Sequence, residues 1–246
     1  MSNEFSELQA VDFALGAFIA GALSGLNDQA GPKAFREFLS RPVSRQVYRH
    51  DADSPAEFVK AYRAAQAAQS TAAGAKLNPL ELPLIYYFRK PGMTSGDGRE
   101  VTRRGKFMFA ELEDGTLGNA YKFVVLPLTL DFKLYFLAWD KPTLDKLQLA
   151  WYAYSALNDK FPCLYQIGET DTFEIPAYLL DHKAPLFADE SIPPGQDASR
   201  VYAVSTGLQI ATDVIFGAGA IAPEEITING ALTNYLDYES GAPVNG

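Results

Sequence analysis

The sequence predicts an α+β fold with a mainly antiparallel sheet and a helix packed on it. Three stretches carry that expectation. In "LPLTLDFKLYF" (126–136), Leu126, Leu128, Leu130, Phe132, Leu134 and Phe136 share one parity, while Pro127, Thr129, Asp131, Lys133 and Tyr135 share the other. Period-two alternation of this length marks a long strand with an apolar face and a mostly polar one. "RVYAVSTGLQIATDVIFG" alternates in the same way, with Tyr202 to Phe216 on one parity and Ser205, Gln209 and Asp213 on the other. Between them, "DKPTLDKLQLAWYAYSALND" has a helix start, with Asp140 as N-cap and Pro142 in the first turn; Leu144, Leu147, Trp151 and Tyr154 line one side.

The remaining elements follow in chain order. Residues 3–26 form a helix in which Phe5, Leu8, Leu15, Ile19, Leu23 and Leu26 recur at helical spacing. Gly16, Ala17, Ala20, Gly21, Ala22 and Gly25 fill the rest of its surface. Two readings fit: a core helix, and a subunit-contact helix working through Phe13, Phe18 and Ile19. After Gly31-Pro32, "KAFREFLSR" is a short amphipathic helix ended by Pro42. "DSPAEFVKAYRAAQAAQ" begins with a capping box, Ser54 with Glu57, and a first-turn Pro55; it fades into a linker near 70–78.

"LPLIYYFRKPG" (82–92) is strand-like. The stretch after it is the most basic in the chain, with Arg89, Lys90, Arg99, Arg103, Arg104 and Lys106 around a Gly96-Asp97-Gly98 turn. A solvated hairpin explains it, and so does a charged arm reaching an acidic partner. "KFMFAELEDGTLG", "CLYQI" and "TFEIPAYLL" are short strands, and "IPPGQDASR" is a loop. The organisation is therefore an N-terminal helical region (1–78), an α+β core domain (79–217) with a basic loop at 89–106, and an extended C-terminal tail (218–246).

Composition narrows the function. The chain has 246 residues, of which 48% are hydrophobic, enough for one large core. A net charge of −9 argues against nucleic-acid binding. One cysteine, Cys163, and two histidines, His50 and His182, leave little material for a zinc site or a disulfide framework. The most apolar window, Phe13 to Leu23, is shorter than the roughly 20 residues of a membrane span, and acidic residues precede it. No targeting segment is expected.

No chemical motif stands out. GxGxxG, P-loop, HExxH and GxSxG patterns are absent. Carboxylates cluster at Glu111, Glu113 and Asp114 and again at Glu169, Asp171 and Glu174, a pattern that exposed strand edges also produce. Asp181 and His182 are adjacent, so on an extended chain they point apart. Cys163 follows Pro162 and is expected to be a small buried apolar residue. Trp139, Trp151, Tyr152 and Tyr154 could form a sugar platform, but core packing explains Trp151 and Tyr154 first. The expectation is a protein that is no enzyme and needs no cofactor or metal.

The segment "FVVLPLTLDFKLYF" with the following "LAWDKPTLDKLQLAWYAYSAL" resembles a pattern of tail proteins of long-tailed bacteriophages. Pro127, Leu130, Phe132, Leu134, Asp140, Trp151 and the closing strand Val201 to Phe216 carry the resemblance, which spans roughly residues 82–217. It implies a structural virion protein, assembled in the host cytoplasm and located in the tail. The function implied is a ring-forming tail terminator, often hexameric, that caps the tail tube or sheath and joins it to the neck. A baseplate or sheath-initiator protein is the alternative placement. The implied partners are further copies of the chain and other tail, sheath or neck proteins, with no nucleic-acid contact required and no membrane. Of other classes, a small-ligand or carbohydrate-binding module and a carboxylate-dependent hydrolase remain.

Overall fold

Two long strands organise the molecule. β5 (Leu117–Ala138) and β9 (Tyr202–Ala220) run antiparallel, from Tyr121 opposite Ala220 to Ala138 opposite Tyr202, with one register shift between Phe123 and Val125. The computed structural model describes residues 8–24, 26, 31–73, 81–95, 106–111, 117–167, 171–180, 185–194 and 200–220.

Both edges of this pair are extended. On the open side of β5, β2 (Leu84–Arg89) covers the C-terminal half, and β3 (Thr94–Ser95) and β4 (Lys106–Glu111) follow toward its start. On the open side of β9 lie β8 (Ala188–Asp189) and β7 (Asp171–Leu180); β6 (Lys160–Ile167) pairs with β7. A short β1 (Val47–Arg49) joins β2 in parallel, so the main path reads β1-β2-β5-β9-β7-β6. All other pairings are antiparallel, and the α+β expectation stands. β1 was not anticipated, because three residues are too few to show alternation.

Four α-helices complete the described fold: α1 (Gln9–Ser24), α2 (Lys33–Leu39), α3 (Pro55–Ala73) and α4 (Lys141–Leu157). The Asp140 carboxylate accepts from the Thr143 backbone N–H at 2.8 Å and from its hydroxyl at 2.9 Å. Such a cap stabilises a helix by about 1 kcal/mol. At the start of α3 the Glu57 N–H donates to the Ser54 hydroxyl at 3.3 Å. Both starts lie where the capping residues predict them.

α1 and α4 cover one face of the sheet. Leu15 and Ile19 of α1 and Leu147 and Trp151 of α4 pack with Leu130, Phe132, Leu134 and Phe136 of β5 and with Phe161 and Cys163 of β6. The first 78 residues are therefore not a separate layer: α1 shares this core, and β1 belongs to the sheet. At the other boundary, β9 continues past 217 to Ala220; residues 221–246 of the expected tail lie outside the described residues.

The opposite face corrects the expectation for β5. Beyond Lys133 its second parity is also buried, because α3 lies across it. Tyr135 and Leu137 join Leu84, Tyr86, Phe88 and Ala203 against Phe58 and Val59 of α3. Phe58, Tyr86 and Tyr135 form a parallel stack with centroid spacings of 4.2 and 4.5 Å. The polar face of β5 is confined to its earlier part, where Asp131 is exposed.

Candidate functional site

The residues expected to make contacts separate into distinct environments. Arg89 does not belong to a free arm. It closes β2 and turns back to α1, where its Nε lies 3.1 Å from Oδ1 of the wholly buried Asp12. Arg49 of β1 reaches Oδ2 of the same carboxylate at 2.8 Å. The Tyr87 hydroxyl donates to the Asp12 backbone carbonyl at 2.8 Å. Burial raises the Asp12 pKa above its ordinary value, and the Arg89 and Arg49 charges pull it back. The group holds α1 on the β1–β2 corner. Arg89 therefore has a structural role, since removing one partner of a buried ion pair leaves an uncompensated charge.

Lys90 is exposed, and its backbone N–H donates to the Asp131 carbonyl at 2.8 Å. Lys106 opens β4 opposite Phe123. Arg99, Arg103 and Arg104 lie outside the described residues. In α1, Phe13 points outward and is 58% exposed. Phe18 and Ile19 correct the contact-helix reading, for both are internal. Phe18 packs among Trp151, Tyr154 and Phe161 with centroids 5.9, 5.1 and 4.8 Å away.

The residues weighed for chemistry are also scattered. Glu174 stands exposed on β7 opposite Leu164, and Asp171 opens the same strand opposite Ile167. Glu111 ends β4. Glu113, Asp114, Glu169, Asp181 and His182 lie outside the described residues. The His50 ring meets Phe58 edge-on at 5.2 Å. Cys163 is buried, and burial pushes its thiol up to about 12. Among the described residues, no group of three or more His, Cys, Asp or Glu side chains is placed to hold a metal, and no helix is long and apolar enough to cross a membrane.

Two polar arrangements escaped sequence reading. Lys133 lies 3.2 Å from Oε1 of Glu190, and the Ser205 hydroxyl donates to the same oxygen at 3.2 Å. The Lys133 ammonium also sits 4.7 Å above the Tyr135 ring. These contacts fasten the segment carrying β8 onto the sheet. A cleft of about 330 Å³ opens between the end of α1 and residues Leu39 to Gln46. Its guanidinium, Arg41, donates to the carbonyls of Glu81, Leu82 and Pro83 at 3.0–3.3 Å, and the Gln46 amide donates to those of Phe38, Leu39 and Arg41. Both side chains brace backbone.

The sheet edges differ in what they offer. In the end strand β6, Pro162 faces Pro176 of β7 in register. Neither carries an N–H, so the pair is of the non-hydrogen-bonded kind and the Pro162 nitrogen faces the outer edge. The Pro176 carbonyl is taken by the Thr212 hydroxyl at 3.1 Å. A proline on an edge blunts it against further pairing. By contrast, β7 pairs with β9 only at Gln209 to Thr212. From Val214 to Ala220, no strand among the described residues pairs with that edge of β9. No protein-family model matches the chain, and no curated protein matches it either.

Proposed function

We propose that this chain is a structural virion protein of a long-tailed bacteriophage, a ring-forming tail terminator that joins the tail tube or sheath to the neck. The ribbon of β4, β5 and β9 is the observation that supports this reading. The buried side chains Leu130, Phe132 and Leu134 of β5 follow a half-buried stretch, Val125 to Thr129, yet the strand starts at Leu117 and is paired with β4 or β9 along its earlier part. At about 3.3 Å per residue, the stretch 117–129 extends roughly 40 Å. From Val214 to Ala220 the outer edge of β9 meets no strand among the described residues, and an open edge is the feature by which one chain adds a strand to another. A subunit that closes a ring needs such heterologous contacts. Within the same reading, a baseplate or sheath-initiator station differs only in the neighbours met.

Electron microscopy of the concentrated protein tests the proposal. Closed rings with a central channel are the expected result. Single-copy particles at every concentration, with no rings, would overturn it.

A further inference from the structure

Arg41 carries a charge that no carboxylate answers. Among the described residues the ion pairs join Lys33 to Glu37, Arg49 and Arg89 to Asp12, and Lys133 to Glu190, and none includes Arg41. Its hydrogen bonds run to neutral carbonyls: Nη1 donates to those of Glu81 and Pro83 at 3.0 Å, and Nη2 to that of Leu82 at 3.3 Å. A guanidinium has five N–H groups. With one hydrogen given to each carbonyl, Nε–H and one hydrogen of Nη2 keep no partner among the described residues. Nε and Nη2 flank one edge of the planar group, the fork that takes both oxygens of a carboxylate.

The same guanidinium lines the cleft between the end of α1 and residues Leu39 to Gln46. Apolar side chains make up most of the wall: Ala20, Leu23, Leu26, Leu39 and Val43. Ser24 and Ser40 add hydroxyls, which donate to the carbonyls of Gly21 and Glu37. No acidic side chain lines the cleft among the described residues. Its volume of about 330 Å³ holds the space of roughly ten waters at about 30 Å³ each, the small end of the range of ligand pockets. In a chain of net charge −9, a cation left open beside an apolar wall selects an anion that carries an apolar body. A bare inorganic anion would use the fork and leave the wall wet. The volume limits the body to a short chain or a single ring.

We propose that this cleft binds a small monocarboxylate with an apolar body, its carboxylate in the open fork of Arg41 and its body against Leu23, Leu26, Leu39 and Val43. The site is independent of the ring reading, which rests on the ribbon of β4, β5 and β9.

Calorimetric titration of the full chain with decanoate, and with decanol as the same body without its charge, tests the site in the wild type, Val43→Asp and Leu157→Asp. Val43 is 54% exposed, so its substitution leaves the core alone, and the new carboxylate occupies the fork or repels that of the ligand. Leu157 belongs with Leu149 and Tyr152 to the exposed outer stripe of α4, the other place where an apolar chain could settle. One decanoate per chain should bind the wild type. Decanol should bind about tenfold more weakly or worse, because the charge-assisted hydrogen bonds to Arg41 are lost. Val43→Asp should weaken decanoate about tenfold or more, and Leu157→Asp should leave it unchanged. No saturable binding, decanol as tight as decanoate, or a Val43→Asp variant that titrates like the wild type would each overturn the proposal. Loss of binding in Leu157→Asp would place the molecule on α4 and overturn it as well. If decanoate fails to bind while Val43→Asp changes the mass of the assembled particle, the cleft is a contact between protein chains and the small-molecule site is wrong.

Discussion

Asp12 and Arg89 stand 3.1 Å apart, joining a wholly buried carboxylate on α1 to the last residue of β2. Seventy-seven positions separate them in the chain, so the contact closes the N-terminal helix onto the sheet. It also assigns Arg89 to the fold.

Arg89→Leu should therefore destabilise the protein by about 2–4 kcal/mol, because Asp12 then has only the half-exposed Arg49 as a counter-charge. The loss should depend on pH. Arg89 lowers the Asp12 pKa, so its removal raises that pKa further above the unfolded value. A carboxyl raised in the folded state contributes stability at acid pH and loses it as pH rises through the folded pKa. The deficit of the variant should be largest at neutral pH and shrink on acidification, read by urea unfolding at several pH values. A deficit that is absent at neutral pH would show that the ion pair does not hold α1.

Leu130 is fully buried between the sheet and its helical cover. Leu130→Asp should prevent folding, since an unpaired buried charge costs several kcal/mol. A soluble variant with the wild-type near-ultraviolet circular dichroism would place β5 wrongly.

Phe58 fixes α3 to the sheet by stacking on Tyr86 at 4.2 Å. Phe58→Ala should cost about 3–4 kcal/mol in chemical denaturation, as for other large-to-small changes of buried aromatics. An effect within a few tenths of a kcal/mol, the size expected at the surface, would mean that α3 does not cover β2 and β5.

Cys163, the single cysteine, is sealed in the main cluster with its thiol pushed up to about 12. The folded protein should leave a disulfide reagent unreacted at pH 8, and unfolding should release one thiol per chain. Fast reaction of the folded protein would mean that the core opens between α1 and β6.

Much of this fold was legible in the sequence where local signals suffice. Asp140 and Pro142 mark the start of α4, Ser54 and Pro55 that of α3, and parity marks β5 and β9. The failures are long-range. Arg89 looks like part of a basic run, but its place at the end of β2 brings it to Asp12 of α1. Tyr135 sits on the parity of Asp131 and Lys133, and only the arrival of α3 buries it. In α1 the apolar residues surround the helix, so spacing alone could not show that Phe18 and Ile19 turn inward while Phe13 turns outward. The outer stripe of α4 did leave a signal: Leu149, Tyr152 and Leu157 are more apolar residues than one buried face needs.

The most direct measurement is the mass of the purified protein by light scattering, across a concentration series at two salt levels. A ring-forming tail protein should give a discrete particle of several copies, reached at high concentration and shifted by salt where charged contacts contribute. The mass of a single chain at every concentration and both salt levels would contradict the account.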